Sequence, residues 1–267
     1  MEAFYDVLFE VSNEDRYKIL LQLADNPMNV TRISKRLGLS LTETSRHLSR
    51  IGEVRLTRRD ANGLYHINEF GKVILAQLKG AEFVTKHRDY FTSHSMTHLP
   101  LEFVSRIGEL INSTYTDDAI VFLHSVATGI QEAEENIWVM VDQFVMSQVP
   151  FVKDALERNV KMKTIEPKVW VAPPDFYRIR EEAEKTWIKR AKKEQLLEHR
   201  ALMNVEVYIH MSEKEAALAF PTLDGRFDHI GFTSTDGRAL KWCMDLFHYY
   251  WEKAEPLLEP LRDFVSK

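Results

Sequence analysis

The sequence predicts a chain of class α+β or α/β. It begins with a winged helix-turn-helix over residues 1–80, continues through a connector or dimerisation helix over residues 81–101, and ends in a mixed α/β domain over residues 102–267. In the first segment, three short amphipathic helices precede a hairpin turn sequence, which is typical of a winged helix. In the last segment, helix-like and strand-like stretches alternate and strands then cluster, which predicts a mixed sheet packed against helices.

Composition excludes several classes of protein. The chain has 267 residues, 45% hydrophobic and 28% charged, which is ordinary for a globular protein with sizeable cores. No apolar run reaches the length of a membrane span, and the start MEAFYDVLFE is unlike a secretory signal. Cys243 is the single cysteine, which excludes an internal disulfide and cysteine-rich zinc modules and favours a cytoplasmic setting.

Capping and stopping residues place two helices in the first forty residues. Ser12 or Asn13 can cap the first, which runs to about residue 24 and is stopped by the Asp-Asn-Pro sequence that follows. The second, VTRISKRL, opens at Asn29 and has its apolar residues on one face. Gly38 then suits the left-handed residue that ends a helix, so a tight turn follows.

A third helix opens at Ser40, and Glu43 three residues later completes a capping box. Its apolar spacing predicts one buried face, made of Leu41, Thr44, Leu48 and Ile51. A hairpin, or wing, follows in VRLTRRDANGLYHI. Asn62 and Gly63 predict a type I′ turn, because both central residues of that turn need positive φ. Arg58 and Arg59 are expected at the tip of this wing.

Charge is unevenly distributed along an acidic chain. The net charge is −5, but residues 1–80 carry 12 Lys/Arg against 10 Asp/Glu, a balance of +2. Residues 30–60 carry eight basic residues against three acidic ones, a balance of +5. Such a cluster of basic residues indicates contact with a polyanion, although a solvated charged face gives the same pattern.

The combination of helix, turn, capped helix and basic hairpin predicts binding to double-stranded DNA. The third helix suits the major groove, where Arg46 or Arg50 can bind guanine as a bidentate pair. Serines and the basic residues before the turn suit phosphates, and the wing arginines suit the minor groove. The predicted DNA contacts are Lys35, Arg36, Thr42, Ser45, Arg46, Ser49, Arg50, Arg58 and Arg59.

A long helix is predicted from about Glu69 to about Asp89, with a continuous apolar stripe. The stripe can pack within its own domain, or it can pair with a second copy and form a homodimer. In the connector that follows, His94 and His98 have the spacing of metal ligands on a helix. No acidic residue or cysteine stands at matching spacing, so no metal or other cofactor is expected.

Further elements are predicted in the C-terminal half. Strands are expected at AIVF, IWVMVDQF, VKMKTIEP, VEVYIHMS, AALAFP and HIGFTST. Helices are expected at LEFVSRIGELINS, HSVATGIQEAEEN, SQVPFVKDALERN, FYRIREEAEKTWIKRAKKEQLLEHR and RALKWCMDLFHYYWEKAEPLLEPLRDF.

Polar residues at predicted strand ends are candidates for binding a small-molecule effector, because ligands of α/β sheets bind at strand ends. They are Asp142, Gln143, Tyr208, His210, Thr233, Ser234 and Asp236. An ordinary structural role is the alternative for each of them. In particular, Thr233, Ser234 and Asp236 can simply cap the final helix.

Two family resemblances follow from these motifs. LSLTETSRHLSRIGEVRL and RRDANGLYHINEFGK resemble the winged helix-turn-helix of arsenical-repressor-type regulators, with Thr44 where valine is common and Ile51 where leucine is common. The metal-sensing cysteines of some such repressors are absent, so metal sensing is not implied. HLPLEFVSRIGEL, EAEENIWVMVDQF and GRFDHIGFTSTDGRALKWCMDLFHYYW resemble the middle domain of archaeal methanogenesis-type transcriptional regulators. This second resemblance implies a phospholipase D-like fold without catalysis.

A phospholipase D-like enzyme needs the motif His-x-Lys-x4-Asp, and the sequence has none: His124, His199 and His210 all lack lysine two residues later. P-loop, GxSxG and HExxH motifs are also absent. We therefore expect a non-enzymatic, cytoplasmic transcriptional regulator, a DNA-binding homodimer whose C-terminal domain senses a small molecule or partner. The alternatives are a protein-interaction module that uses the winged helix as a contact surface, and a degenerate phosphodiesterase.

Overall fold

The computed structural model describes residues 2–143, 145–169 and 174–257. The chain divides into two units, Met1–Glu82 and Phe83–Lys267. Within the described part of the chain, no helix combines the length and the apolar character needed to cross a membrane.

The first unit consists of helices and one hairpin. Its elements are α1 (Glu2–Val11), α2 (Glu14–Asp25), α3 (Val30–Leu37), α4 (Leu41–Glu53), β1 (Thr57–Arg59), β2 (Tyr65–Ile67) and α5 (Glu69–Lys86), which runs past the unit boundary. Ile19, Leu20, Ile33, Leu48 and Ile51 are almost completely buried and form the centre of its core. The predicted helix-turn-helix and wing are therefore both present.

Two details of this unit differ from the sequence expectation. Helix α1 was not predicted, although Val7 and Val11 stand four residues apart and are both buried. The wing loop is longer than a two-residue type I′ turn: Arg59 pairs with Tyr65, and the Asp60 amide donates to the Leu64 carbonyl. Positive φ is needed only at Gly63 (78°), which is the pattern of a three-residue hairpin loop.

The second unit contains an eight-stranded mixed sheet in the order β10-β6-β5-β4-β7-β8-β9-β3. β5 runs parallel to both of its neighbours, β4 and β6, and the remaining pairings are antiparallel. The strands are β3 (Thr114–Thr116), β4 (Asn136–Met140), β5 (Lys161–Pro167), β6 (Leu197–Leu202), β7 (Tyr208–Ser212), β8 (Ala216–Ala219), β9 (Gly231–Ser234) and β10 (Glu255–Pro256).

Helices cover both faces of this sheet. They are α6 (Arg88–Ser93), α7 (Leu101–Ser105), α8 (Ala119–Glu132), α9 (Val149–Glu157), α10 (Pro174–Ala183), α11 (Lys189–Lys193) and α12 (Gly237–Lys253), with a π-helical segment, Glu184–Ile188, between α10 and α11. One core contains Trp242 and Phe247 of α12 with Ile209 of β7. The other contains residues of α8 and α9 with Val139 of β4. The predicted mixed α/β fold is confirmed.

Several predicted elements of this unit are wrong. AIVF begins helix α8, because the Asp118 side chain accepts hydrogen bonds from the Ile120 and Val121 amides and caps a helix there. LEHR is not helical but is the start of β6, which pairs with β5 and buries Leu197.

Three further predicted boundaries differ from those in the structure. The predicted helix LEFVSRIGELINS is divided into α7 and a 3₁₀ turn, Ile107–Leu110. The final helix ends at Lys253, since the chain then pairs with β6, and residues 258–267 lie outside the described part. The expected connector is not separate from the second unit: Phe83, Tyr90 and Leu99 belong to its core.

Candidate nucleic-acid interface

Helix α4 has two opposite faces. Thr44, His47, Leu48 and Ile51 are buried, while Thr42, Ser45, Arg46 and Ser49 are exposed at the spacing of the other helix face. The predicted contact residues of this helix therefore point away from the core. Leu41, predicted on the buried face, is instead 53% exposed, because it stands at the first turn beyond the reach of the core.

Capping sets where this helix begins. The Ser40 hydroxyl accepts from the Glu43 amide at 3.2 Å, and the Glu43 carboxylate accepts from the Ser40 amide at 3.1 Å. Both halves of the predicted capping box are thus formed. The Ser40 hydroxyl also donates to the Glu43 carboxylate at 2.7 Å, and this bond, followed by the one from the Ser40 amide, lowers the pKa of Glu43, so its carboxylate is ionised at neutral pH. Glu43 therefore has a structural role at the helix start.

The turn before α4 places two further cations beside it. Lys35 and Arg36 are exposed in the last turn of α3. Gly38 follows with φ 71°, a left-handed conformation that glycine adopts without steric strain. Because α3 and α4 pack together across this short turn, the basic end of α3 and the start of α4 lie close together.

Arg50 does not match its predicted role as a free guanine reader. Its guanidinium donates to the buried carboxylate of Glu10 at 2.6 Å. Glu10 also forms an ion pair with Arg16 at 3.0 Å, so one carboxylate from α1 joins two arginines. One Nη of Arg50 is therefore engaged, and the guanidinium has fewer donors available for a base than an unpaired arginine has. The candidate for direct base contact is therefore Arg46.

The wing arginines lie in strand β1 and not in the turn where they were expected. Arg58 and Arg59 are both exposed. The Arg59 guanidinium lies 5.6 Å from the centroid of the Tyr65 ring on β2, a cation–π contact. That contact holds the side chain along the hairpin, and Arg58 stays free.

Free positive charge is the main electrostatic property of this surface. Within the described residues, no ion pair is formed by Lys35, Arg36, Arg46, Arg58 or Arg59, whereas Arg50 is paired. Exposed cations on consecutive elements, next to a helix face of short polar side chains, can bind phosphates and present one arginine to base edges. We define these five residues as the basic surface.

Sequence reasoning missed two residues near this surface. Glu10 accepts a hydrogen bond from Arg50. A Val-x2-Glu-Val pattern in the first helix was the sequence feature that could have indicated a helix carrying Glu10 there. Arg55 follows α4 with φ 61° and its carbonyl accepts from the Asn68 side chain at 2.7 Å. No sequence pattern indicated that left-handed conformation.

In the second unit, the seven predicted effector residues are not brought together. Asp142 and Gln143 follow the carboxyl end of β4, beyond Met140, which pairs with Ile209. Ser234 pairs with Ala216, which is level with the opposite end of β7. Thr233, Ser234 and Asp236 therefore lie at the other end of the sheet from Asp142, Gln143 and Tyr208.

The capping alternative accounts for two of these residues. The Asp236 carboxylate accepts from the Arg238 amide at 2.9 Å and caps α12. The Ser234 hydroxyl accepts from the Asp236 amide at 3.2 Å. Tyr208 is also structural: it is 1% exposed and its ring contacts Phe122 at 5.7 Å.

The three remaining candidates differ in exposure: Asp142 is half-buried, Gln143 is exposed and His210 is buried. Burial raises the pKa of Asp142 to about 6. The Gln143 side chain contacts the His229 ring, with 2.5 Å between the two Nε2 atoms. His210 on β7 is 4% exposed, and burial lowers its pKa to about 4. His210 is therefore neutral at pH 7.

The buried His210 should make the second unit less stable in acid. Its folded-state pKa lies below the ordinary value of about 6.5, so the unfolded chain binds the proton more strongly. Neutral His210 therefore contributes to the free energy of unfolding in full above about pH 6.5, and this contribution is lost as pH falls toward 4. Between pH 7 and pH 5 the free energy of unfolding falls by about 2 kcal/mol. We expect His210→Gln to lose less stability than the wild type over that interval in urea unfolding. The exposed His98→Gln serves as control, and equal losses in all three proteins would contradict the prediction.

Comparisons with known proteins bear mainly on the first unit. Residues 13–57 match the family model described as bacterial regulatory protein, arsR family. No curated protein sequence matches the chain. Among solved structures, HlyU from Vibrio cholerae in its reduced form is 30% identical, with coverage of 34% of this chain and 90% of its own and a TM-score of 0.26.

Two further solved structures extend into the second unit. The archaeal chromatin protein TrmBL2 is 16% identical, with coverage of 92% of this chain and 94% of its own and a TM-score of 0.43. Nuc from Salmonella typhimurium, a phospholipase D family member, is 13% identical, with coverage of 55% and 97% and a TM-score of 0.39. The predicted resemblance of the N-terminal motifs is confirmed by the family match, and the matched residues 13–57 contain the helix-turn-helix formed by α3 and α4.

Proposed function

We propose that this protein is a cytoplasmic transcriptional regulator that binds double-stranded DNA through α4 and the wing. The observation that carries the proposal is the basic surface, five exposed and unpaired cations around a helix face of short polar side chains, on a chain whose net charge is −5. Local positive charge on an acidic protein favours a polyanionic partner over nonspecific adhesion. The family match of residues 13–57 to regulatory proteins supports the same function.

In this proposal α4 lies in the major groove, which is about 12 Å wide and accommodates one helix. Arg46 binds a guanine through its O6 and N7 atoms, because its guanidinium is exposed and unpaired. Ser45 and Ser49, on the same face, donate to phosphate oxygens or base edges. Arg50 stays bound to Glu10 and supports the helix position without contacting DNA.

Lys35 and Arg36 contact phosphates beside the turn, and Arg58 and Arg59 contact the backbone or the minor groove from β1. Four phosphate contacts of this kind release about four counterions. Affinity should then fall about 10²-fold between 50 and 200 mM salt. A protein-interaction module would lack this salt dependence on DNA, so the slope separates the two functions.

We further propose that two copies associate through the exposed apolar residues of α1 and α5. Phe4 and Tyr5 on α1 are each 61% exposed, and Phe70 and Val73 on α5 are 47% and 60% exposed. Apolar side chains this large on two helices of one small unit favour burial against a partner. A symmetric pair would present two α4 helices to two half-sites of an operator.

Val73→Asp should therefore convert the dimer to a monomer, because it places a carboxylate in the apolar contact. The measurement is the molar mass in sedimentation equilibrium over a range of concentrations. Lys72→Asp introduces the same carboxylate at another exposed position of α5, about 100° around the helix axis from Val73, and should leave the mass unchanged. A wild-type protein that is monomeric at all concentrations would contradict the proposed dimer.

The experiment that tests DNA binding is a titration of a genomic fragment that contains the protein's own promoter, at 50 and 200 mM salt. An unrelated fragment of the same length is the control. Tight, promoter-selective and salt-sensitive binding would support the proposal. Absence of binding at both salt concentrations would refute it in favour of a protein-interaction role.

A further inference from the structure

The second unit contains a cavity on the sheet face that α9 and α10 cover. The strand register places four side chains in one row across this face: His199 on β6 is opposite Thr164 on β5, Thr164 is opposite Val139 on β4, and Val139 is opposite His210 on β7. All four line the cavity. The row therefore has polar side chains at both ends and a threonine between them.

Apolar side chains form most of the remaining wall. Met162 and Leu197 continue the sheet surface, and Val152 contributes from α9. Trp187 and Ile188 line the opposite side from the π-helical segment between α10 and α11. Single π-helical turns within α-helices occur frequently at functional sites, because the widened turn re-aims its side chains. Here the turn directs a large aromatic ring and an aliphatic group toward the sheet.

Among the described residues, three polar side-chain atoms on the lining of this cavity have no hydrogen-bond partner: Nε2 of His210, Oγ1 of Thr164 and Nε2 of Gln148. The His210 and Thr164 side chains are 4% and 3% exposed. Buried polar groups are satisfied in the great majority of cases, so three unsatisfied groups that face one space indicate an occupant able to bond them. Since His210 is neutral, it can serve such an occupant as donor or acceptor without adding charge.

The size of the cavity limits the occupant. The volume open to the centres of water molecules is about 60 Å³. One water needs ~10–15 Å³ on that measure, so the space holds roughly four waters or one small organic molecule. The apolar wall disfavours a file of water, because each water needs several polar partners.

We propose that this cavity binds a small uncharged organic molecule with an apolar body and one hydroxyl or carbonyl group. The polar group bonds Thr164 and His210, and the apolar body packs between Met162 and Trp187. A metal ion does not fit, because no cluster of three or more metal-ligating side chains exists among the described residues. An anion is disfavoured as well, since the described lining contains the buried carboxyl group of Glu166 and no lysine or arginine, and His210 is neutral.

The regulatory role of this cavity rests on the proposed DNA-binding function, whereas its binding of a small molecule does not. A ligand in the cavity can change DNA affinity only if it binds two states of the protein with different affinities. Binding to the cavity and binding to DNA are therefore measured separately on the same samples.

The test uses phenol as probe, because it combines a hydroxyl with an apolar ring of suitable size. Toluene has the same ring without the hydroxyl, and benzoate has it with a charge. Binding is followed by nitrogen-15 NMR of the Trp187 indole and the His210 ring in the full chain. We expect saturable shifts of both signals with phenol, weaker binding of toluene and none of benzoate.

Thr164→Val removes the hydroxyl and retains the side-chain shape. We expect it to weaken phenol binding about five- to tenfold and to leave toluene binding unchanged. Thr128→Val is the matched control, because the Thr128 hydroxyl bonds only the His124 carbonyl of its own helix. Unperturbed NMR spectra away from the cavity establish that both variants are folded.

Two outcomes would overturn the site: no saturable shift with phenol up to its solubility limit, or equal phenol affinity in the wild type and Thr164→Val. DNA titrations without phenol identify which proposal has failed. Selective DNA binding together with absent phenol binding would refute only the cavity. Phenol binding by a protein that does not bind DNA would refute only the regulatory function.

Discussion

Arg46→Ala should reduce affinity for the promoter fragment by roughly 5- to 150-fold, the equivalent of ~1–3 kcal/mol for one bidentate contact to guanine. Arg46 is the expected reader because it is exposed on α4 and unpaired, whereas Arg50 is bound to Glu10 at 2.6 Å. The loss should be selective. Affinity for unrelated DNA should change little, because that binding depends on phosphates.

Two control variants distinguish a base contact by Arg46 from a phosphate contact. Arg58→Ala removes a wing cation and should weaken binding to both fragments equally, with a salt slope smaller by about one. Arg226→Ala removes an arginine in the second unit that is 84% exposed and should change neither affinity. If Arg46→Ala and Arg58→Ala weaken both fragments equally, Arg46 contacts phosphate and the assignment of α4 as a base reader is wrong.

Leu48→Ala should destabilise the first unit by about 2–5 kcal/mol. Leu48 is 1% exposed and packs in the same core as Ile19, Leu20 and Ile33. The substitution removes several methyl groups and leaves a cavity that neighbouring helices fill only in part. Since this contact holds α4 against the domain, the variant should also lose DNA binding at temperatures where the wild type binds.

The tryptophans allow the two units to be followed separately. All five lie beyond residue 83, so their fluorescence reports unfolding of the second unit, while circular dichroism reports helices of both. We expect Leu48→Ala to shift the dichroism transition in urea to lower concentration, with the fluorescence transition less affected. Thr42→Ala on the exposed face is the control, with an expected change within about 0.5 kcal/mol. An unchanged dichroism midpoint in Leu48→Ala would contradict the packing of α4.

Local signals in the sequence predicted the helix-turn-helix well. Asn13, Asn29 and Ser40 each accept a backbone hydrogen bond at the start of the helix that they were expected to cap, apart from the alternative of Ser12 for the first. Capping depends on residues three positions apart, so it can be read without knowledge of the fold. The same is true of Gly38, whose left-handed backbone ends α3.

Residue composition was a poor guide in two segments. AIVF has the composition of a strand but is helical, because Asp118 directly before it caps a helix, a local signal that the strand prediction overlooked, and because the helix packs against the sheet. LEHR has the charge pattern of a helix, but β5 is available as a pairing partner and the segment extends the sheet. Composition contains no information about which partner lies alongside, so propensity is overridden in both cases.

The sequence by itself determined the class of the first unit, the face of α4 that carries Arg46, and the presence of a basic surface, because helix periodicity and capping act within a few residues. Only the tertiary structure decided that Glu10 occupies Arg50, that the effector candidates lie at opposite ends of the sheet, and that Thr164, His199 and His210 share one cavity. These depend on pairing between strand residues 25 to 71 positions apart in the chain and on a carboxylate 40 residues from its arginine. The physical reason is that strand register and ion pairing join residues through space, which a linear pattern does not encode.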